Sequence, residues 1–283
     1  MEQPPSTKPH VTSDVTQRKG RDLVAATAVG VALAGLLATA LVLPPWALTV
    51  LVGLLLIAAH VELGSVLGGL DRPVHTDVLV AATVVLLTAT HLAGAGGQAA
   101  GLAALTVLAL LRSLADRARR DVLGTVARTV LLGAWLGGLA SFALLLRAGD
   151  APIVALSMVL GAAAAGDIAA YFVGSRIGRR PLAPTVSPNK TWEGVVGGLV
   201  AAAAVGAAVL PLDGSSSVLR GASIGIAVGV AALLGDLVAS MVKRDLGVKD
   251  LGRLLPGHGG VLDRVDGLLL ALPVGHALLT SLP

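Results

Sequence analysis

Long runs without a single charge constrain this chain before any motif does. Residues 23–61 and 78–111 contain no Asp, Glu, Lys or Arg. A helix of about 20 such residues matches the ~30 Å hydrocarbon layer of a bilayer, and no soluble fold can wet surfaces built this way. Composition agrees, with 55% hydrophobic and 13% charged residues and a mean hydropathy of +0.85, against about 25% charged in soluble domains. An ordinary soluble domain is excluded. The chain reads as an all-α polytopic integral membrane protein. Cysteine is absent, so disulfides, thiolate metal sites and cysteine nucleophiles are excluded, and the chemistry falls to Asp, Glu, His, Lys, Arg and Ser.

A window of span length predicts nine transmembrane helices, over residues 23–43, 46–63, 76–95, 98–115, 129–147, 151–173, 192–212, 218–239 and 265–281. Pro44 and Pro45 break the first from the second, and Gly96 and Gly97 separate the third from the fourth, giving two tight hairpins. Residues 1–22 read as a disordered basic cytosolic tail without a cleavable signal peptide. Residues 23–150 form an N-terminal set of spans. Residues 151–283 form a C-terminal catalytic region with cytosolic loops over 174–191 and 240–264. With the amino terminus in the cytosol, all of the 21 basic residues except Arg147 and Arg220 fall inside, as the positive-inside rule requires. One span more or fewer would invert every later loop. The odd count places the carboxyl terminus outside.

Four carboxylates lie in or beside spans on this inner side: Asp167 in the sixth, Asp236 near the inner end of the eighth, and Asp263 and Asp266 at the start of the ninth. Charge at such depth is costly, so each is a functional candidate. Asp263 and Asp266 are three apart and share a helix face. The cluster suits a cation held by oxygen, and Mg²⁺ binds through one or two carboxylates plus substrate phosphates. Capping, or salt bridges to Lys243 and Arg264, would equally explain the carboxylates alone.

The loop between the last two spans weighs against that bland alternative. Glycines at 257, 259 and 260 permit close backbone approach, so that amides can face phosphate oxygens. Lys243, Arg244, Lys249 and Arg264 surround them with cationic donors, and His258 sits among the glycines. Beside carboxylates at membrane depth, this reads as a polyanion cradle. Upstream, Ser187, Lys190 and Thr191 lie in a loop just before a helix whose first turn holds Glu193, and a helix start offers amides and a positive dipole end to phosphate. Capping by Thr191 with Glu193 as its partner would account for those two residues. It leaves Lys190, Arg179 and Arg180 unexplained except as topogenic charges.

The stretch from Ser240 to Asp266 resembles the signature of the phosphatidate cytidylyltransferase family, the CDP-diacylglycerol synthases. Its S-x-x-K-R, K-D, P-x-H-G-G and D-R-x-D elements all stand at the family's spacing. A second block is similar to the family's other polar segment: Asp167-x3-Tyr171-x2-Gly174, then Arg176, Gly178, Arg179, Arg180, Ser187-Pro188-Asn189-Lys190-Thr191-Trp192-Glu193-Gly194 and Gly197-Gly198. Before residue 150 the match is one of hydropathy, with Glu62 at the inner end of the second span, and no role is carried onto that half.

The resemblance implies transfer of CMP from CTP to phosphatidate, yielding CDP-diacylglycerol and pyrophosphate, with Mg²⁺ as cofactor. Asp236, Asp263 and Asp266 are the implied metal ligands, with Asp263 foremost and Asp167 placed in an outer shell or at a second cation. Lys243, Arg244, Lys249, His258 and Arg264 are assigned to phosphates, and Asp250, Gly259 and Gly260 to the substrate loop. Ser187, Lys190, Thr191, Arg179 and Arg180 are assigned to the triphosphate or the lipid phosphate. The lipid phosphate is already largely dianionic near neutral pH, so His258 is a phosphate ligand before it is an acid or base. The implied partners are CTP, phosphatidate and the bilayer, with no nucleic acid, and the family alone suggests a homodimer. Cytosolic CTP and a leaflet lipid place the site on the cytosolic face of the plasma membrane. Competing readings change the acceptor to an isoprenoid lipid phosphate, make the chain a CTP-dependent polyprenol kinase, or make it a cation-coupled transporter. Against the transporter, the carboxylates gather at one face instead of the midplane, and no inverted repeat relates the halves.

Overall fold

The computed structural model describes residue 32 and residues 35–117, 121–252, 254 and 259–281. The tail expected over 1–22, most of the span expected over 23–43, and His258 with Pro256 and Gly257 lie outside the described residues.

Helix α1 covers residues 35–42, and the chain bends at Leu43 and Pro44 into α2 (Pro45–Gly69), which opens with Pro45 in its first turn. That is the proline break expected between the first two spans. Helix α3 (Thr76–Ala115) is interrupted by non-helical backbone at Ala93 (φ −130°, ψ 15°) and Gly94 (φ 58°, ψ −137°). The halves fold back on each other, with Gly97 against the Ala89 carbonyl and Gly101 against Leu86. The third and fourth expected spans are therefore a hairpin, as anticipated. Its turn is at Ala93 and Gly94 and not at Gly96 and Gly97, because Gly97 is used for close packing while Gly94 takes the positive φ.

Helix α4 (Val122–Leu132) continues through a π-helical stretch, Gly133–Gly138, into α5 (Phe142–Arg147). Helix α6 (Pro152–Ile177) leads into an antiparallel pair of strands, β1 (Pro181–Ala183) and β2 (Ser187–Thr191). The chain is predominantly helical, as expected of an all-α membrane protein, and within this short hairpin Ser187, Lys190 and Thr191 stand on a strand instead of in an open loop. Helix α7 (Trp192–Val209) ends in a 3-10 turn, Leu210–Asp213, and is followed by α8 (Val218–Asp245) and α9 (Leu262–Ser281). The expected loops are shorter than 174–191 and 240–264, since α6 runs on to Ile177 and α8 to Asp245.

Among the described residues, six helices are long and apolar enough to cross a membrane: Pro45–Gly69, Thr76–Ala115, Val122–Arg147, Pro152–Ile177, Trp192–Asp213 and Val218–Asp245. The expected nine differ for three reasons. The kinked α3 contains two of them, the first lies mostly outside the described residues, and α9 is less apolar because Asp263, Arg264 and Asp266 occupy its first turns. Large apolar side chains such as Val42 and Leu92 face outward at 80% and 78% exposure, an outer surface suited to lipid and not to water. The chain is an integral membrane protein.

Helices α6, α7, α8 and α9 pack successively against one another. Without a hydrophobic drive between helices in lipid, small residues make this possible by letting backbones approach. Where α8 crosses α9, a Cβ on Gly235 would lie 2.7 Å from the Asp266 carbonyl oxygen and 3.1 Å from Gly267 Cα. That crossing sets Asp236 beside Asp266. A second set of contacts gathers the polar ends: Arg72 Nη1 donates to Asp245 Oδ2 at 2.6 Å, and Arg128 Nε donates to the Pro73 carbonyl at 3.1 Å. His75, in the α2–α3 connection, pairs with Ser113 Oγ at 2.7 Å through Nε2, and burial, then the nearby Arg112, holds its imidazole below the ordinary value.

Candidate active site

The gathered end carries a cavity of about 540 Å³. Its polar lining comes from Asp167 of α6, Lys190 of β2, Asp236 and Lys243 of α8, Asp250, and Asp263, Arg264 and Asp266 of α9. Its lining also includes the apolar Leu37, Leu160, Ile168, Leu199 and Leu268. A second cavity of about 550 Å³ is lined by Tyr171, Ser187, Asn189 and Thr191, and shares Asp167, Lys190 and Asp236 with the first. The pair formed by Lys190 and Asp236 thus stands between the two.

Asp236 lies one residue beyond the Gly235 crossing. Its Oδ2 takes a short hydrogen bond from Lys190 Nζ, and its Oδ1 accepts from Ser240 Oγ, one turn on, at 3.3 Å. Lys243, in the last turn of α8, donates from Nζ to Asp263 Oδ1 at 3.0 Å and sits 3.9 Å from Asp266 Oδ2. The Asp263 side chain is only 3% exposed, and its Oδ2 accepts the amides of Leu251 at 3.0 Å and Gly260 at 2.9 Å. Asp266 Oδ1 accepts the Gly267 amide at 2.8 Å. Charge in so protected a place is tolerable because each carboxylate meets a lysine or amides. Among the described residues no three His, Asp or Glu side chains already converge in a metal-binding group.

The remaining expected site residues divide. Thr191 caps α7, its Oγ1 accepting the Gly194 amide at 3.2 Å, while facing the second cavity. Glu193 does not complete a capping box. Its Oε2 accepts the amides of Arg179 at 3.1 Å and Arg180 at 3.3 Å, fastening the end of α6 and β1 to the start of α7. The exposed Arg179 and Arg180 side chains line neither cavity. Arg244 Nε donates to the Val186 carbonyl at 3.2 Å, holding the hairpin against α8, and Lys249 is exposed. Gly259 has φ 76°, a conformation that favours glycine.

Three contributors were not assigned from sequence. Tyr171 and Asn189 line the second cavity. Glu62 of α2 reaches the α8–α9 loop, accepting the amides of Leu254 and Val261. Its signal was available, since it is the first charge after residues 23–61, and a charge at the end of an apolar run calls for a partner.

A model of the cytidylyltransferase family matches residues 24–282. The phosphatidate cytidylyltransferase of Mycobacterium leprae (strain TN) is 35% identical over 286 residues, covering 95% of this chain and 91% of the relative. That of Mycobacterium tuberculosis (strain ATCC 25618 / H37Rv) is 34% identical over 282 residues, covering 95% and 85%. The phosphatidate cytidylyltransferase of Brucella suis biovar 1 (strain 1330) is 45% identical over 141 residues, covering 49% and 52%.

Proposed function

The chain belongs to the cytidylyltransferase family, and we infer that it is a membrane nucleotidyltransferase that transfers CMP from CTP to phosphatidate, giving CDP-diacylglycerol and pyrophosphate for phospholipid synthesis. The observation that carries this reading in the structure is the mixed lining of the cavity. Carboxylates and lysines line it together with apolar side chains, which suits a phosphate attached to a lipid. The adjoining cavity, lined in part by Ser187, Asn189 and Thr191, offers hydrogen-bonding groups to the nucleotide.

In this reading a phosphate oxygen of the lipid attacks the α-phosphorus of CTP in line, and pyrophosphate leaves. No covalent enzyme intermediate is required, because the task is positioning and charge stabilisation. Lys190, Lys243 and Arg264 line the first cavity and bind phosphate oxygens there. Asp263 orients Lys243 and, through the Gly260 amide, the glycine-rich loop. Asp236 orients Lys190. Arg179, Arg180, Arg244 and Lys249 form the basic surface that an arriving polyanion meets, and Asp250 and Gly259 shape the loop beside it.

Mg²⁺ suits the donor chemistry: Asp236, Asp263 and Asp266 supply hard oxygen atoms at one cavity. Since no three carboxylates form a ready-made group among the described residues, an ion held there would take substrate phosphates as further ligands. Asp167, shared by both cavities, is the candidate for a second cation. Bound Mg²⁺ would supply charge neutralisation for the leaving pyrophosphate. The basic residues gathered at this end favour a site on the cytosolic face of the plasma membrane.

The test is incorporation of α-phosphate-labelled CTP into lipid by detergent-purified protein, with phosphatidate supplied and Mg²⁺ present or chelated. Labelled CDP-diacylglycerol that disappears on chelation is the expected result. No lipid product from folded protein would overturn the reading, and product only with isoprenoid phosphates would change the acceptor.

A further inference from the structure

We propose that Glu62, at the inner end of α2, is a positioning residue for the glycine-rich loop between α8 and α9. Its Oε1 accepts the Leu254 amide at 2.6 Å and its Oε2 accepts the Val261 amide at 2.9 Å. Asp263 does the same from the other side, with Oδ2 accepting the amides of Leu251 and Gly260. Each carboxylate therefore bridges the two limbs of one loop, Glu62 joining 254 to 261 and Asp263 joining 251 to 260. Asp263 lines the site cavity, whereas Glu62 lines neither cavity. Glu62 reaches the site through the loop backbone.

The loop sequence is adapted to this clamp. A Cβ on Gly252 would collide with the Glu62 carboxyl group. One on Gly260 would lie 2.7 Å from Gly252 Cα and 3.0 Å from Glu62 Oε2. Two glycines on opposite limbs thus permit both limbs to meet one carboxylate. The clamp links residues 192 and 199 positions apart, joining the N-terminal half to the half that carries the charged residues lining the cavity. A carboxylate at the end of a span is costly to place, and charge-assisted hydrogen bonds from two amides offset that cost. Bringing the limbs together from an open loop costs entropy, which the clamp prepays before substrate arrives. Pre-organisation of this kind shows in substrate affinity and in turnover.

As a claim about catalysis this rests on the cytidylyltransferase reading, and as a claim about the loop it does not. The full-length protein in detergent is compared with Glu62→Gln, Glu62→Asp and Gly252→Ala by two measurements. The first is hydrogen–deuterium exchange of peptides spanning 251–261. The second is steady-state kinetics with CTP and phosphatidate varied in turn. In Glu62→Gln the loop amides are expected to exchange faster while α6 to α9 keep wild-type protection. Its kcat/KM for CTP falls about tenfold or more, with KM rising by a larger factor than kcat falls. Glu62→Asp, which keeps the charge, recovers part of both, and Gly252→Ala resembles Glu62→Gln. Wild-type loop exchange and kinetics in Glu62→Gln would overturn the proposal. So would loss of protection throughout the bundle with no recovery in Glu62→Asp, which would mark a general packing role. If Glu62→Gln does not fold, Gly252→Ala decides by the same two readouts. A wild-type protein that makes no lipid product would defeat the catalytic reading while the exchange result still decides the clamp.

Discussion

Asp263 carries more of the site than its neighbours because it accepts from a lysine and from two amides on separate parts of the loop. Asp263→Asn keeps the volume and removes the charge. We expect turnover to fall by about 100-fold or more, with the protein still eluting as folded material on gel filtration. Full activity in that variant would remove Asp263 from the mechanism. Lys190 and Asp236 form a unit between the cavities, so their effects should not add. Lys190→Met combined with Asp236→Asn is expected to be no slower than Asp236→Asn alone, as measured by initial rates. Losses that multiply would show that the two residues act separately.

At the scale of elements, the crossing of α8 and α9 aligns the carboxylates. Gly235 has no room for a side chain, and Gly235→Val would push the helices apart or twist them. The expected cost is about 1–3 kcal/mol, read as a lower thermal midpoint together with loss of activity. A wild-type midpoint would show that the crossing tolerates bulk. The hairpin of β1 and β2 is a second such device. Glu193 fastens it through the amides of Arg179 and Arg180, and Arg244 holds its turn, so three residues expected to touch substrate also position the strand bearing Lys190. Spacing alone could not reveal this. A basic side chain near a phosphate loop and one bonded to a carbonyl look identical in sequence, because the difference lies in which partner the fold brings near.

Across the whole molecule the net charge is +4, and Lys190, Lys243 and Arg264 line the site. Such a field speeds the approach of a polyanion and is screened by salt. We expect kcat/KM for CTP to fall as salt rises from about 0.05 to 0.5 M, and Lys249→Ala, altering an exposed residue, to flatten that dependence. Equal salt slopes for the two proteins would exclude Lys249 from steering. The sequence by itself determined that the chain crosses a membrane, where most spans lie, and to which family its polar blocks belong. Transfer of charge into hydrocarbon is costly at every position, so the boundaries are written locally in runs such as 78–111. Only the tertiary structure decided that Lys190 meets Asp236, 46 residues away, that Lys243 meets Asp263, and that Glu62 reaches across the molecule to the loop. Those pairings depend on where helices cross and how closely glycine backbones approach, and such distances belong to the packed bundle and to no single segment of it.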